Sequence, residues 1–209
     1  MAKKYIGVFD SGLGGLTCVK ELMKTMPDEP IVYFGDTGRV PYGSRSDETI
    51  TKYVKSDIKF LSQFDLKVIV VACGTASAIA LPKLKKEITI PTFGVVEAAA
   101  EEAARKTKNN KIGIIGTAGS IRSGAYEKAI KEKNPNIETT SVACPLFVPL
   151  VENGYAESEA AMLIAKDYLK PLKEANVDTL ILGRTHYPLL KNVISDIMGS
   201  KVTLISPGE

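Results

Sequence analysis

The sequence predicts an alternating α/β fold built on parallel sheet, and two observations predict it. Short, almost unbroken Val/Ile/Leu runs recur along the chain, separated by stretches with helical spacing. Each run stops at Gly, Asp, Ser, Thr or Cys. A strand covered on both faces reads as a continuous apolar run, and strands that alternate with helices lie parallel.

Met1-Ala2-Lys3-Lys4 leads directly into Tyr5-Ile6-Gly7-Val8-Phe9. That segment is too short for a signal-peptide core and is expected to be the first strand, ending at Asp10-Ser11-Gly12. Ile31-Val32-Tyr33-Phe34 ends at Gly35-Asp36-Thr37, and Val68-Ile69-Val70-Val71 ends at Ala72-Cys73-Gly74-Thr75. Pro91-Thr92-Phe93-Gly94 closes a first unit, and an Ala-rich helix over 97–105 leads through polar residues 106–111 to the next strand. That strand, Ile112-Gly113-Ile114-Ile115, stops at Gly116-Thr117, and Leu180-Ile181-Leu182 stops at Gly183-Arg184-Thr185-His186. A domain boundary is therefore expected near residue 97, with units at 1–97 and 98–209. Lys67-Val68-Ile69-Val70-Val71-Ala72-Cys73-Gly74-Thr75 also echoes Asp178-Thr179-Leu180-Ile181-Leu182-Gly183-Arg184-Thr185-His186. In two facing units, Cys73 and Arg184 would then point at one cleft from opposite sides.

Bulk properties exclude several functional classes. With 209 residues, 44% hydrophobic and 24% charged, the composition is that of a globular protein. The net charge of +3 is mild. Lys83-Leu84-Lys85-Lys86 and Arg105-Lys106-Thr107-Lys108 read as solvated helix faces, so no nucleic-acid partner is expected. No apolar run reaches the roughly 20 residues of a membrane-spanning helix. Three cysteines, Cys18, Cys73 and Cys144, cannot all pair, so a disulfide framework is not expected and a cytoplasmic location is. The single histidine and the absence of Cys-x-x-Cys or His-x-x-x-His spacing leave no expected metal site.

In open parallel sheets ligands bind beyond the carboxyl ends of the strands, where all these polar tips lie. Such residues also form ordinary turns, but here the tips carry a thiol, two carboxylates and the only histidine. The glycine-rich Asp10-Ser11-Gly12-Leu13-Gly14-Gly15 offers backbone donors for an anion, and Asp10 favours a carboxylate or amino acid over a phosphate. Cys73 at a strand tip sits where amide donors lower a thiol pKa from about 8.5. Cys18, inside a helical stretch, reads as a small core residue, and Cys144 as packing. His186 is open between a core and a site role, and Glu152 is by default a solvated loop acid.

Taken together, these segments resemble the glutamate racemase family over nearly the whole chain. Phe9-Asp10-Ser11-Gly12-Leu13-Gly14-Gly15-Leu16-Thr17, Gly35-Asp36-Thr37-Gly38-Arg39-Val40-Pro41-Tyr42-Gly43 and Val71-Ala72-Cys73-Gly74-Thr75-Ala76-Ser77 are similar to its first three motifs. Ile115-Gly116-Thr117, Pro145-Leu146-Phe147-Val148-Pro149-Leu150-Val151-Glu152 and Thr185-His186-Tyr187-Pro188 follow in the family's order. The resemblance implies two pseudo-symmetric α/β domains with the site in the cleft between them. It implies interconversion of L- and D-glutamate for peptidoglycan synthesis, without a cofactor or metal, by a homodimeric protein. One thiolate would take the α-proton and a second thiol return a proton on the other face. Cys73 matches one of the two positions, and Asp10, Glu152 and His186 match positions that assist proton transfer. Asp10, Ser11, Pro41, Tyr42, Gly43, Gly74, Thr75, Thr117, Thr185 and His186 match substrate-contact positions.

This chain departs from the pattern at three places. Arg184 stands where the family has its second cysteine, and a guanidinium, always protonated, cannot act as a base. Gly74 stands where the family usually has asparagine. Relatives run on past Ser206-Pro207-Gly208-Glu209, so the first domain is expected to be incomplete. Two other functions stay open beside a racemase. One is a catalytically dead protein that binds an acidic ligand, and the other is a single-cysteine proton-exchange or decarboxylase-type enzyme.

Overall fold

The computed structural model describes residues 4–207. Eight strands form two four-stranded sheets, every strand pair parallel. The first sheet contains β1 (Tyr5–Asp10), β2 (Ile31–Gly35), β3 (Leu66–Val71) and β4 (Thr92–Gly94), in the order β2-β1-β3-β4. The second contains β5 (Lys111–Gly116), β6 (Glu138–Ala143), β7 (Thr179–Leu182) and β8 (Thr203–Ile205), in the order β6-β5-β7-β8. The two orders are the same once each number in the first is raised by four, so the faint sequence echo reflects a repeated topology. Cys73 lies two residues beyond β3, and Arg184 two residues beyond β7, its counterpart.

Helices α1 (Leu16–Thr25), α2 (Asp47–Leu61), α3 (Gly74–Ile79) and α4 (Leu81–Leu84) belong to the first unit. Ser46 caps α2 by accepting from the Thr49 amide, and Asp47 and Glu48 complement its positive end. Ile50, Val54, Ile58 and Leu61 recur at helical spacing along its buried face. The Ala-rich prediction over 97–105 is realised as α5 (Val95–Lys106), one continuous helix across residue 97. Its buried stripe of Val96, Ala99, Ala100 and Ala103 joins a core that holds Ile69 and Val71 from the first sheet and Ile112, Ile114 and Ile181 from the second. The two units thus share apolar packing.

The second unit adds α6 (Ala118–Arg122), α7 (Ala125–Lys133), α8 (Phe147–Glu152), α9 (Glu159–Glu174) and α10 (Lys191–Met198). A separate core gathers Phe147, Leu169, Leu172, Tyr187 and Ile194 beneath α9 and α10. Cys18 and Cys144 are buried as expected of packing residues, and no disulfide forms among the three free thiols. No helix among the described residues is long and apolar enough to cross a membrane.

A candidate active site between two parallel sheets

The carboxyl ends of the two sheets face each other, and the predicted residues converge in the cleft between them. Around the thiol lie Asp10, Ser11, Tyr42, Gly43, Cys73, Gly74, Thr75, Arg184, Thr185 and His186, enclosing only about 20 Å³ of free space. A larger cavity of about 330 Å³ adjoins it, sharing Val40, Gly43 and Arg184. Pro41, Thr117 and Glu152 line that second cavity rather than the space beside the thiol. Its remaining walls are largely apolar, from Val148, Pro149 and Tyr187 among others. These wall residues carry no chemical signature, which is why the sequence did not single out most of them.

Cys73 is the N-cap of α3, and its Sγ accepts from the Ala76 amide at 3.4 Å. The same sulfur lies 3.3 Å from Ser11 Oγ. These partners pull the thiol pKa down, as does Arg184, in line with the sequence reading. Burial nevertheless outweighs them and, with Asp10 beside it, holds the thiol above its usual range. The expected depression is therefore reversed in sign: three polar neighbours do not make up for the loss of water.

The glycine-rich turn also differs from its expected use. The Gly12 and Gly15 amides donate to Asp10 Oδ2 at 3.0 and 3.1 Å, so the anion these donors hold is the chain's own carboxylate. The glycines answer a steric demand instead. A Cβ at Gly14 would stand 2.1 Å from Thr185 Oγ1 across the cleft. Gly74 is pressed in the same way, since a Cβ there would lie 2.6 Å from the Gly183 carbonyl oxygen.

Thr75 and Thr117, from opposite units, bring their hydroxyls to 3.3 Å. Thr117 also caps α6 by accepting from the Ser120 amide. His186 Nε2 meets Glu152 Oε1 at 3.3 Å, and its Nδ1 lies 3.5 Å from Thr185 Oγ1. Glu152 is thus more than a solvated loop acid. Burial and then the Arg184 charge hold His186 below its usual pKa, against the pull of Glu152 and Asp10. A neutral imidazole donating to the Glu152 carboxylate fits this arrangement.

Asp36 belongs beneath the cleft, although it stands at a strand tip. It accepts from the Tyr42 hydroxyl and pairs with Arg39 Nε at 2.7 Å. Tyr42 lies 2.8 Å from Asp57 Oδ2, and Arg39 reaches Asp57 as well. Asp57, in the middle of α2, gave no sequence signal. Tyr126 was missed for the same reason: its hydroxyl is buried without a hydrogen-bond partner among the described residues, 3.5 Å from where a Cβ at Gly74 would stand. No group of three or more His, Cys, Asp or Glu able to hold a metal occurs among the described residues.

Fold and cleft together define a two-domain α/β protein whose buried thiol faces a second lobe across a closed interface. The Asp/Glu/Hydantoin racemase family profile matches residues 15–209. A glutamate racemase of Geobacter metallireducens is 53% identical over 209 residues, covering 100% of this chain and 77% of that protein. One from Enterococcus faecalis is 49% identical over 97% of this chain and 74% of its own length. Among solved structures, a glutamate racemase isoform of Bacillus anthracis superposes with a TM-score of 0.95 at 45% identity, covering 99% of this chain and 77% of that one. The glutamate racemase of Francisella tularensis, solved in complex with D-glutamate, gives a TM-score of 0.91 at 43% identity, with the same coverage. The chain belongs to the Asp/Glu racemase family of isomerases, among its glutamate racemases.

Proposed function

We propose that this chain binds glutamate in the interlobe cleft and moves its α-proton without a cofactor, with Cys73 as the one thiol at the reacting carbon. The convergence of Cys73, Ser11, Thr75 and Arg184 on one small space carries this reading. The thiolate would take the α-proton: the C–H bond breaks, an S–H bond forms, and the electron pair stays on carbon. Asp10, His186 and Glu152 would assist the transfer. Ser11, Pro41, Tyr42, Gly43, Gly74, Thr75, Thr117 and Thr185 would contact the ligand. Units 1–97 and 98–209 would supply one wall of the site each. The family relationship supports a cytoplasmic homodimer that supplies D-glutamate for peptidoglycan, and so for cell-wall biogenesis and cell shape.

Inversion requires a proton from the opposite face, and there the family pattern places a thiol where this chain has Arg184. A guanidinium does not give up its proton at working pH. Exchange at Cys73 should consequently outrun racemisation. Loss of the α-proton signal of D- and L-glutamate in deuterium oxide, followed by NMR beside circular dichroism, tests this. We expect exchange from one enantiomer with slow inversion, and Arg184→Cys should raise inversion roughly 10²–10⁴-fold. Absence of exchange from both enantiomers would refute the reading. Equal inversion rates for the unaltered chain and Arg184→Cys would refute the two-thiol argument.

A further inference from the structure

Arg184 raises a question of its own, because among the described residues its charge has no ion-pair partner. Its side chain is half-buried and borders both the thiol space and the larger cavity. One terminal nitrogen, Nη1, lies 3.2 Å from where a Cβ at Gly43 would stand, so it reaches across to the first unit's loop. A cation so placed ordinarily pairs with a nearby carboxylate such as Asp10 or Glu152, or turns to solvent, since burying an unpaired charge is costly. Here it stays half-buried between the two cavities. Among the described residues no carboxylate forms an ion pair with it.

The nearby acids are engaged elsewhere. Asp10 Oδ2 takes two backbone amides, Glu152 faces His186, and Asp36 is held by Arg39 and Tyr42. The cleft therefore presents one uncommitted fork of N–H donors, with the neutral hydroxyls of Ser11, Thr75 and Thr185 around the same space. A planar carboxylate matches a guanidinium fork in shape and charge, and such bidentate pairs are stronger than neutral hydrogen bonds. The adjoining 330 Å³ is within the size range of small-molecule sites.

We propose that Arg184 is a ligand-anchoring residue that pairs with a carboxylate of the bound acidic amino acid, so that the position opposite Cys73 serves binding rather than proton return. The inference rests on the functional reading above and assigns it a specificity determinant. It makes the ligand class a dicarboxylate or its close analogue, retained even where inversion is slow. It also explains how the chain tolerates an uncompensated cation between its lobes: the counter-charge arrives with the ligand.

Isothermal titration of D-glutamate, L-glutamate and glutarate into the full chain, Arg184→Met and Arg184→Lys tests it at low and raised salt. Arg184→Met should weaken binding of the preferred ligand about 10–100-fold, and Arg184→Lys less, since an ammonium keeps the charge without the fork. Added salt should weaken binding by the unaltered chain and leave Arg184→Met almost unaffected, a response that lost packing alone would not give. If Arg184→Met fails to fold, Arg184→Gln takes its place as the neutral variant. Affinity of the neutral variant within twofold of the unaltered chain would overturn this inference alone. Failure of the unaltered chain to bind any of the three ligands would overturn the functional reading as well.

Discussion

Cys73 occupies the position where reactivity and burial compete most directly. Its sulfur has an amide donor, a hydroxyl neighbour and a nearby guanidinium, yet burial and Asp10 keep it protonated near neutral pH. Cys18 is pushed up by burial and Asp10 as well, to about 11, and Cys144 is raised by burial with no countering group. Only Cys73, then, has neighbours that favour its thiolate. Alkylation by iodoacetamide, read by mass spectrometry, should reach Cys73 before the other two and be slow at pH 7. Because its folded pKa lies above the ordinary 8.5, the rate should keep climbing where a free thiol levels off. Arg184→Met should slow it further, and Asp10→Asn should speed it. A rate already flat by pH 8.5, or Cys18 labelled first in folded protein, would contradict this account.

At the scale of elements, the loop between β2 and α2 is held down by a charged network as well as by the packing of Tyr42 in the core. Tyr42 sits between Asp36 and Asp57, and Arg39 bridges the same two carboxylates while stacking 4.6 Å over the Tyr53 ring. A phenol carries one proton and donates to one carboxylate at a time. Burial is the main reason that Asp57 is pushed up to about 6, with Asp36 adding to it and Tyr42 and Arg39 opposing. A folded pKa above the usual 3.9 means that this group's contribution is fully present below about pH 4. It is lost as pH rises through 6. The melting temperature of the unaltered chain, relative to Asp57→Asn, should therefore fall between pH 4 and 6. A difference constant over that range would show that Asp57 is ionised throughout.

The same network shows how far the elements could be read from sequence. Strands with unbroken apolar runs and polar tips were legible because burial on both faces writes itself into composition. β6, Glu-Thr-Thr-Ser-Val-Ala, was not, since an edge strand bonded only to β5 needs no such run. β4 and β8 have three residues each, too few to show a pattern. In the site, the residues with chemistry of their own were legible. Asp57 and Tyr126 were not, because their importance comes from what folding brings beside them.

For the whole molecule, the two sheets repeat one topology, share a core on the α5 side and meet at the cleft with little between them. At that meeting the bare Cα of Gly74 faces the Gly183 carbonyl, where even a methyl group would come within 2.6 Å of oxygen. The space left beside the thiol, about 20 Å³, is roughly that of one water and too small for any amino acid. An amino acid does not fit against the thiol in this form, so we expect the lobes to part before a ligand settles beside Cys73. This sets an order of events in time: in stopped-flow mixing, the observed association rate should level off at high glutamate, at the intrinsic opening rate. Gly74→Asn, which wedges the contact apart, should lift that ceiling while lowering the melting temperature. A rate that rises linearly with ligand throughout would mean that the jaws already stand open in solution.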